Sequence, residues 1–184
     1  MTKVLPTGDG SKNGIRSPEF MKEHDLDFKL GVKVENVDTR RKQIILKSGE
    51  ELSYDKLCIA TGGRPKPLQV PGSDANNVFM IRSAKDQLAI KEAAASKKNI
   101  VVLGGSFIAS ESAASLKFKY KDETQVHLVT RQENPMETVL GKEVSSILKA
   151  EHEKNGVQIH SKSSIKEIKK DGSGNVSAVV LENG

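Results

Sequence analysis

The chain has 184 residues, with 29 Lys and Arg against 24 Asp and Glu for a formal net charge of +5. That length gives room for one ordinary hydrophobic core, and 36% hydrophobic residues with 29% charged is too apolar for an extended disordered segment. The lone cysteine, Cys58, excludes an intrachain disulfide framework and a cysteine-rich zinc site. No run reaches the roughly 18 apolar residues of a membrane span, and the N-terminus lacks the apolar core of a secretory signal. The expectation is a soluble globular protein of a reducing compartment.

In chain order, the first seventeen residues, with Pro6, Gly8, Gly10 and Gly14, read as loop. Ser17-Pro18-Glu19 is a helix start that should end before Leu26. Lys33–Val37, Gln43–Lys47 and Glu51–Ser53 alternate and are separated by turn residues, which predicts hairpins. Lys56–Ala60 is a compact apolar run, predicted as a buried strand ending at Thr61-Gly62-Gly63. Three prolines and three glycines between Gly62 and Asp74 mark a crossover. Ser83, with Asp86 three residues on, opens a helix to about Ser96.

A β-α-β unit follows: strand Asn99–Leu103, helix Phe107–Phe118, strand Gln125–Thr130. The next helix, Val139–Asn155, places Val139, Leu140, Val144, Ile147 and Leu148 at helical spacing, and Gly156 stops it. Val157–His160, Ser164–Lys169 and Val176–Leu181 close the chain as strands, the last two joined by the Asp171–Gly174 turn.

Basic clusters at Arg40-Arg41-Lys42 and Lys162–Lys170 are interleaved with Asp38, Glu167 and Asp171, the pattern of a solvated face. No helix presents Lys and Arg at groove-reading spacing. With two Tyr, five Phe and no Trp there is little to stack on bases, so nucleic acid is not an expected partner. His24, His127, His152 and His160 are scattered without companions at metal spacing, and each reads as structural or surface. Cys58 reads as a small core residue of its strand.

The chemical signal lies at Leu103-Gly104-Gly105-Ser106-Phe107-Ile108-Ala109, where a strand runs through glycines into a helix. In a dinucleotide-binding turn the first glycine permits the bend, the second lets backbone approach a pyrophosphate, and the third lets helix and strand pack closely. The helix N-terminus then offers N–H groups and partial positive charge to the anion. Gly104 stands at the first position, Ser106 at the second and Ala109 at the third. Ser106 adds a hydroxyl able to donate to a phosphate oxygen, and Ala109 is small enough for close packing. A helix–strand turn that merely needs a glycine reads the same way. At the end of the second strand Thr130 stands where an NAD-binding acid would, with Arg131 beside it. That tilts against a strict NAD site and leaves NADP, or no nucleotide, open.

Tyr54-Asp-Lys-Leu-Cys-Ile-Ala-Thr-Gly62 resembles a segment of FAD-dependent pyridine nucleotide-disulfide oxidoreductases. Arg64-Pro65, Pro71-Gly72, Val78–Asp86 and the Gly104–Glu111 turn follow in that family's order. The chain is most similar to the ferredoxin-reductase type and, within it, to the apoptosis-inducing-factor 3-like branch. The resemblance implies an α/β fold. A Rossmann-like, three-layer NAD(P)-binding domain would occupy residues 98–184, preceded by a small antiparallel β segment of an FAD-binding domain over 1–63, with a crossover and helix over 64–97. It implies that Val34, Ala60, Thr61, Gly62 and Arg64 lie along FAD. Gly104, Gly105, Ser106, Ile108, Thr130 and Arg131 would take NAD or NADP, and Glu111 would point to the flavin–nicotinamide contact. The family lysine that pairs with this glutamate is replaced by Pro6, in Thr2-Lys3-Val4-Leu5-Pro6.

The resemblance further implies hydride transfer from NAD(P)H to FAD, electrons passing to a ferredoxin-like or Rieske-type partner, in cytosol or mitochondria. The family's first FAD-binding G-x-G-x-x-G and its C-terminal G-D segment are not found, so the chain is expected to be a catalytically incomplete central piece. The competing expectation is a non-catalytic descendant kept as a scaffold or partner-binding subunit, with self-association through open sheet edges.

Overall fold

A computed structural model describes residues 16–183, which divide into two compact units at the Gly63–Arg64 junction. In the first unit, the Ser17 hydroxyl accepts from Phe20 N–H at 3.3 Å and Pro18 fills the first helical position. These features start α1, Pro18–Glu23. Strands β1 (Val34–Asp38), β2 (Gln43–Leu46) and β3 (Glu51–Ser53) form an antiparallel sheet in that order. The β1–β2 turn is built on Asp38, whose carboxylate accepts from the amides of Arg40 and Arg41 at 3.0 and 2.9 Å and from Arg41 Nε at 2.8 Å. The Arg41 amide and guanidinium hold this carboxyl below the ordinary aspartate range.

The strand expected over Lys56–Ala60 does not form, and Cys58 is exposed rather than part of a core. An apolar run becomes a strand only with a neighbour to complete its hydrogen bonds, and among the described residues none pairs with it. Ile59 is accordingly 71% exposed.

The second unit begins with the crossover and α2 (Ala84–Ala94). A reciprocal box starts this helix: Ser83 Oγ accepts from Asp86 N–H, and the Asp86 carboxylate accepts from Ser83 N–H at 2.7 Å. Strands β4 (Asn99–Leu103), β5 (Gln125–Val129) and β6 (Val157–His160) form a parallel sheet in the order β4-β5-β6. Between them run α3 (Phe107–Tyr120), which tightens into a 3₁₀ turn at Lys121–Glu123, and α4 (Glu137–Lys154). One sheet face, carrying Ile100, Val102, Val126, Leu128, Val157 and Ile159, packs on Ala109, Ala113 and Leu116 of α3 and Ala94 of α2. Full burial of Val126 and Leu128 contributes about 1.5–3 kcal/mol each. Tyr120 Oη donates to Lys91 O at 3.1 Å and ties the two helices together. Strands β7 (Ile165–Lys170) and β8 (Val176–Leu181) pair as an antiparallel hairpin. Its core, Ile165 and Ile168 with Ala75, gathers Leu68, Val70 and Val78 of the crossover.

Helix α4 departs from the expected pattern. It begins two residues earlier than its apolar spacing indicates and breaks at Gly141, whose φ of +78° and ψ of 167° are not helical. The stripe read along one continuous helix is interrupted there: Val139, Val144 and Ile147 are exposed, and Ser145 is the buried residue.

Candidate nucleotide-binding turn

The turn is built from the C-terminal ends of β4 and β5. Gly104 has φ +140°, its N–H donates to Val129 O at 2.9 Å, and a Cβ here would lie 3.1 Å from the Ala109 Cβ. The first glycine and the alanine of the motif are therefore coupled: small residues at both let α3 start directly above the sheet. Gly105 is required for space. A Cβ on it would sit 2.5 Å from Thr130 Oγ1 and 3.2 Å from the Gln132 side chain.

Ser106 is the N-cap of α3 in extended backbone, and its hydroxyl makes no capping hydrogen bond. Ser110 N–H to Ser106 O, at 3.1 Å, is the first helical bond, so the amides of Phe107, Ile108 and Ala109 precede the ladder. No acidic side chain occupies the first turn of α3. Ser106, Phe107 and Ile108 are exposed. The partial positive charge at this helix end is left uncompensated by its own first turn, which suits an anion. Glu111, which by sequence alone could be a first-turn acid, lies in the second turn and is half-buried.

Thr130 is buried beneath the turn. Its N–H donates to His160 O at 3.0 Å, its carbonyl accepts from Ser163 N–H at 3.0 Å, and Oγ1 accepts from Gln132 N–H at 3.2 Å. Arg131, the next residue, is exposed at the rim. The structure thus brings Gly104, Gly105, Ser106, Ile108, Thr130 and Arg131 together at one end of the parallel sheet. Val34, Ala60, Thr61 and Gly62 belong to the other unit, and Arg64 is the first residue of the second. Val34 sits at a register shift of β1 and is half exposed. Ala60, Thr61 and Gly62 are exposed, outside any ladder, with Gly62 at φ +73°. An open main chain of this kind fits a segment laid along a cofactor; nothing described encloses a flavin ring by itself. Pro6 and the rest of residues 1–15 lie outside the described residues.

Sequence reasoning missed the loop Gln132–Met136, which holds the turn from behind. Met136 takes left-handed backbone at φ +66°, caps α4, and donates its N–H to Gly105 O at 2.7 Å. Gln132 Oε1 accepts from Glu137 N–H at 3.1 Å, and its amide donates to Thr138 Oγ1 at 3.1 Å. Glu137 Oε2 in turn accepts from Asn134 N–H and Nδ2, each at 3.0 Å. The Asn134-x-x-Glu137 spacing is a capping-box signature and was the available signal. At the rim Glu133 pairs with Lys162, and this pairing, with Lys149 and Lys142 nearby, holds its carboxyl below the ordinary glutamate range.

The family model for pyridine nucleotide-disulphide oxidoreductases matches residues 1–184. The chain belongs to that family. It is 32% identical over 180 residues to monodehydroascorbate reductase 4, peroxisomal, of Arabidopsis thaliana, covering 95% of this chain and 36% of the relative. It is 32% identical over 169 residues to apoptosis-inducing factor 3 of Mus musculus, covering 92% and 27%. Among solved structures, the ferredoxin reductase for the CYP199A2 system from Rhodopseudomonas palustris superposes with a TM-score of 0.84 at 27% identity, over 98% of this chain and 44% of that one. The reductase–putidaredoxin covalent complex gives 0.83 at 28%, over 100% and 45%. The chain thus spans about a third of the length of these curated relatives. Its mixed α/β architecture, a parallel sheet with antiparallel strands, is that of the ferredoxin-reductase type. No helix among the described residues is long and apolar enough to cross a membrane.

Proposed function

We propose that this chain supplies the pyridine-nucleotide-binding part of an FAD-dependent NAD(P)H oxidoreductase. The observation that carries the proposal is the start of α3: Gly104 at φ +140°, Gly105 with no room for a side chain, a serine hydroxyl not used in capping, and amides ahead of the helical ladder, all at one sheet end. Gly104 and Gly105 let backbone approach a pyrophosphate. The N–H groups of Phe107 and Ile108 and the Ser106 hydroxyl donate to its oxygens, and the helix end favours its charge. Arg131 at the rim suits the added 2'-phosphate of NADP, and the neutral Thr130 supplies no carboxylate to favour NAD.

When bound, NAD(P)H brings a hydride donor and FAD its acceptor. The turn at Gly104–Ile108 would hold the donor, Ala60–Gly62 and Arg64 would contribute to the acceptor's site, and Glu111 would face the nicotinamide. Electrons would then go to a ferredoxin-like or Rieske-type partner. Support for that class of acceptor comes from the solved complex of a similar reductase with putidaredoxin and from the likeness to putidaredoxin reductase CamA of Pseudomonas putida. The cytosol or mitochondria is the compartment proposed.

A second reading, a non-catalytic scaffold of the same fold, is favoured by Thr130, whose polar atoms are all engaged within the protein. Calorimetric titration with NADH and NADPH separates the two. The first reading expects saturable heat, with NADPH at least as tight as NADH. No heat with either at millimolar ligand refutes it and leaves the scaffold.

A further inference from the structure

The parallel sheet has a second face, opposite the α3 side, and it carries two of the histidines that looked unrelated in the sequence. His127 lies in the middle of β5. His160 ends β6, where it pairs with Val129, two residues beyond His127 on β5. A diagonal pair of this kind is within reach of long side chains. His127 Nδ1 and His160 Nε2 are 3.1 Å apart, and the rings' centroids are separated by 5.3 Å. On the far side of the His127 ring, Nε2 faces Asn99 Oδ1 of β4 at 3.4 Å. The tautomer that donates from Nε2 to this amide oxygen leaves the Nδ1 lone pair turned toward His160. Burial and the neighbouring His160 lower the proton affinity of His127, which favours the neutral ring.

We infer that His127 and His160 form a binding site for a borderline divalent metal ion of the zinc, nickel or copper class, with Asn99 orienting the first ligand. Metal–imidazole bonds are about 2.0–2.1 Å, so two nitrogens 3.1 Å apart subtend roughly 98° at one ion, between square and tetrahedral geometry. Both rings reorient so that their lone pairs converge on that ion instead of on each other. His160 shifts its proton to Nδ1 as Nε2 becomes a ligand. Among the described residues no third His, Cys, Asp or Glu joins them. Water completes the coordination, and there is room for it because both rings line an open groove of about 1230 Å³. The amide oxygen of Asn99 takes the part that a carbonyl or carboxylate takes behind metal-bound histidines, favouring the tautomer that leaves Nδ1 to bind. The ligands stand on adjacent strands, so the ion would clamp β5 to β6. His160 O also accepts from Thr130 N–H at 3.0 Å, which places the clamp next to the nucleotide turn.

The test titrates the full chain, without a histidine tag, with Zn²⁺ by calorimetry and with Co²⁺ by visible absorption, and follows thermal unfolding with and without Zn²⁺. One saturable equivalent, Co²⁺ ligand-field bands displaced by Zn²⁺, and a raised melting temperature are expected. His127→Gln and His160→Gln each abolish all three, while Asn99→Ala weakens binding about 10- to 100-fold. His24→Gln and His152→Gln leave it unchanged. Should a ligand variant fail to fold, the imidazole carbon-bound proton resonances of the parent chain decide: those of His127 and His160 shift or broaden with metal, and those of His24 and His152 do not. No saturation by about 1 mM metal overturns the inference, as does equal binding in the two ligand variants. The readouts do not involve nucleotide, so their failure is distinct from failure of the oxidoreductase reading.

Discussion

Replacing Gly105 by alanine puts the packing of the turn to a numerical test. The added Cβ would lie 2.5 Å from Thr130 Oγ1, well inside contact distance, and 3.2 Å from Gln132. Thr130 cannot swing aside cheaply: it is 1% exposed, and its Oγ1 accepts from Gln132 N–H at 3.2 Å. Overpacking in such a place costs about 1–3 kcal/mol, and displacing Oγ1 adds about 1 kcal/mol for the lost hydrogen bond. A total near 3 kcal/mol lowers the melting temperature of a domain this size by about 6–12 °C. The chain has no Trp and two Tyr, one in each unit, so tyrosine fluorescence in a Tyr54→Phe background reports unfolding of the parallel-sheet unit through Tyr120. Thr130→Ala removes the obstructing oxygen, and the double substitution should recover about 1 kcal/mol or more beyond additivity. A Gly105→Ala loss under about 0.5 kcal/mol, or strict additivity with Thr130→Ala, would show that the turn yields freely and that the steric account of Gly105 is wrong.

Gly72→Ala should be as damaging at a site with no chemistry. Gly72 has φ +79°, and a Cβ would fall 1.9 Å from Ile168 O, beside the 2.9 Å bond from Ile168 N–H to Pro71 O. Clash and left-handed strain together cost about 3 kcal/mol, read as a melting temperature 6 °C or more lower (about 2–4 °C per kcal/mol), and a shift below 2 °C contradicts the close approach. Acid sensitivity follows from the histidines. Burial lowers the folded-state pKa of both His127 and His152 below the usual 6.5, with His160 adding to the effect at His127. The unfolded chain therefore takes up these protons first. The associated stability is intact above about pH 6.5 and is lost as pH falls through the lower folded-state values. Urea midpoints at about pH 7.5 and 5.5 should fall, and the drop should shrink in a His127→Gln, His152→Gln chain; an unchanged drop assigns the effect elsewhere.

The elements that were legible in the sequence are those whose cause is local. Ser83 and Asp86 start α2 through one another, Pro18 behind Ser17 starts α1, and Gly156 ends α4 because its φ of +83° suits glycine. Strands β4 and β5 were legible because β4 carries Ile-Val-Val-Leu and β5 carries Val126, Leu128 and Val129. The misreadings were non-local. Lys56–Ala60 has strand composition, yet composition does not supply a partner strand. The α4 stripe is periodic on paper, yet one glycine at φ +78° breaks the period. His127 and His160 are thirty-three residues apart and meet only because β5 and β6 are parallel neighbours in one register.

In the glycine turn, place in the motif and role in space differ. By pattern, Gly105 is a spacer between the two meaningful positions, and Ser106 is a defect where the second glycine belongs. By geometry, Gly105 is the residue that admits no side chain, wedged against Thr130 and Gln132, and Ser106 is a helix cap whose hydroxyl is not spent on capping. Thr130 holds the place of a ribose ligand in the strand order. It instead supports the turn from below, through the atom that excludes a side chain at Gly105. On the proposed nucleotide role, the choice between NADH and NADPH would fall beyond Thr130, to the exposed Arg131 and the lysines around Glu133. A substitution that changes the choice between NADH and NADPH without lowering stability should therefore be found at Arg131, while changes at Thr130 should lower stability and affinity for both nucleotides together.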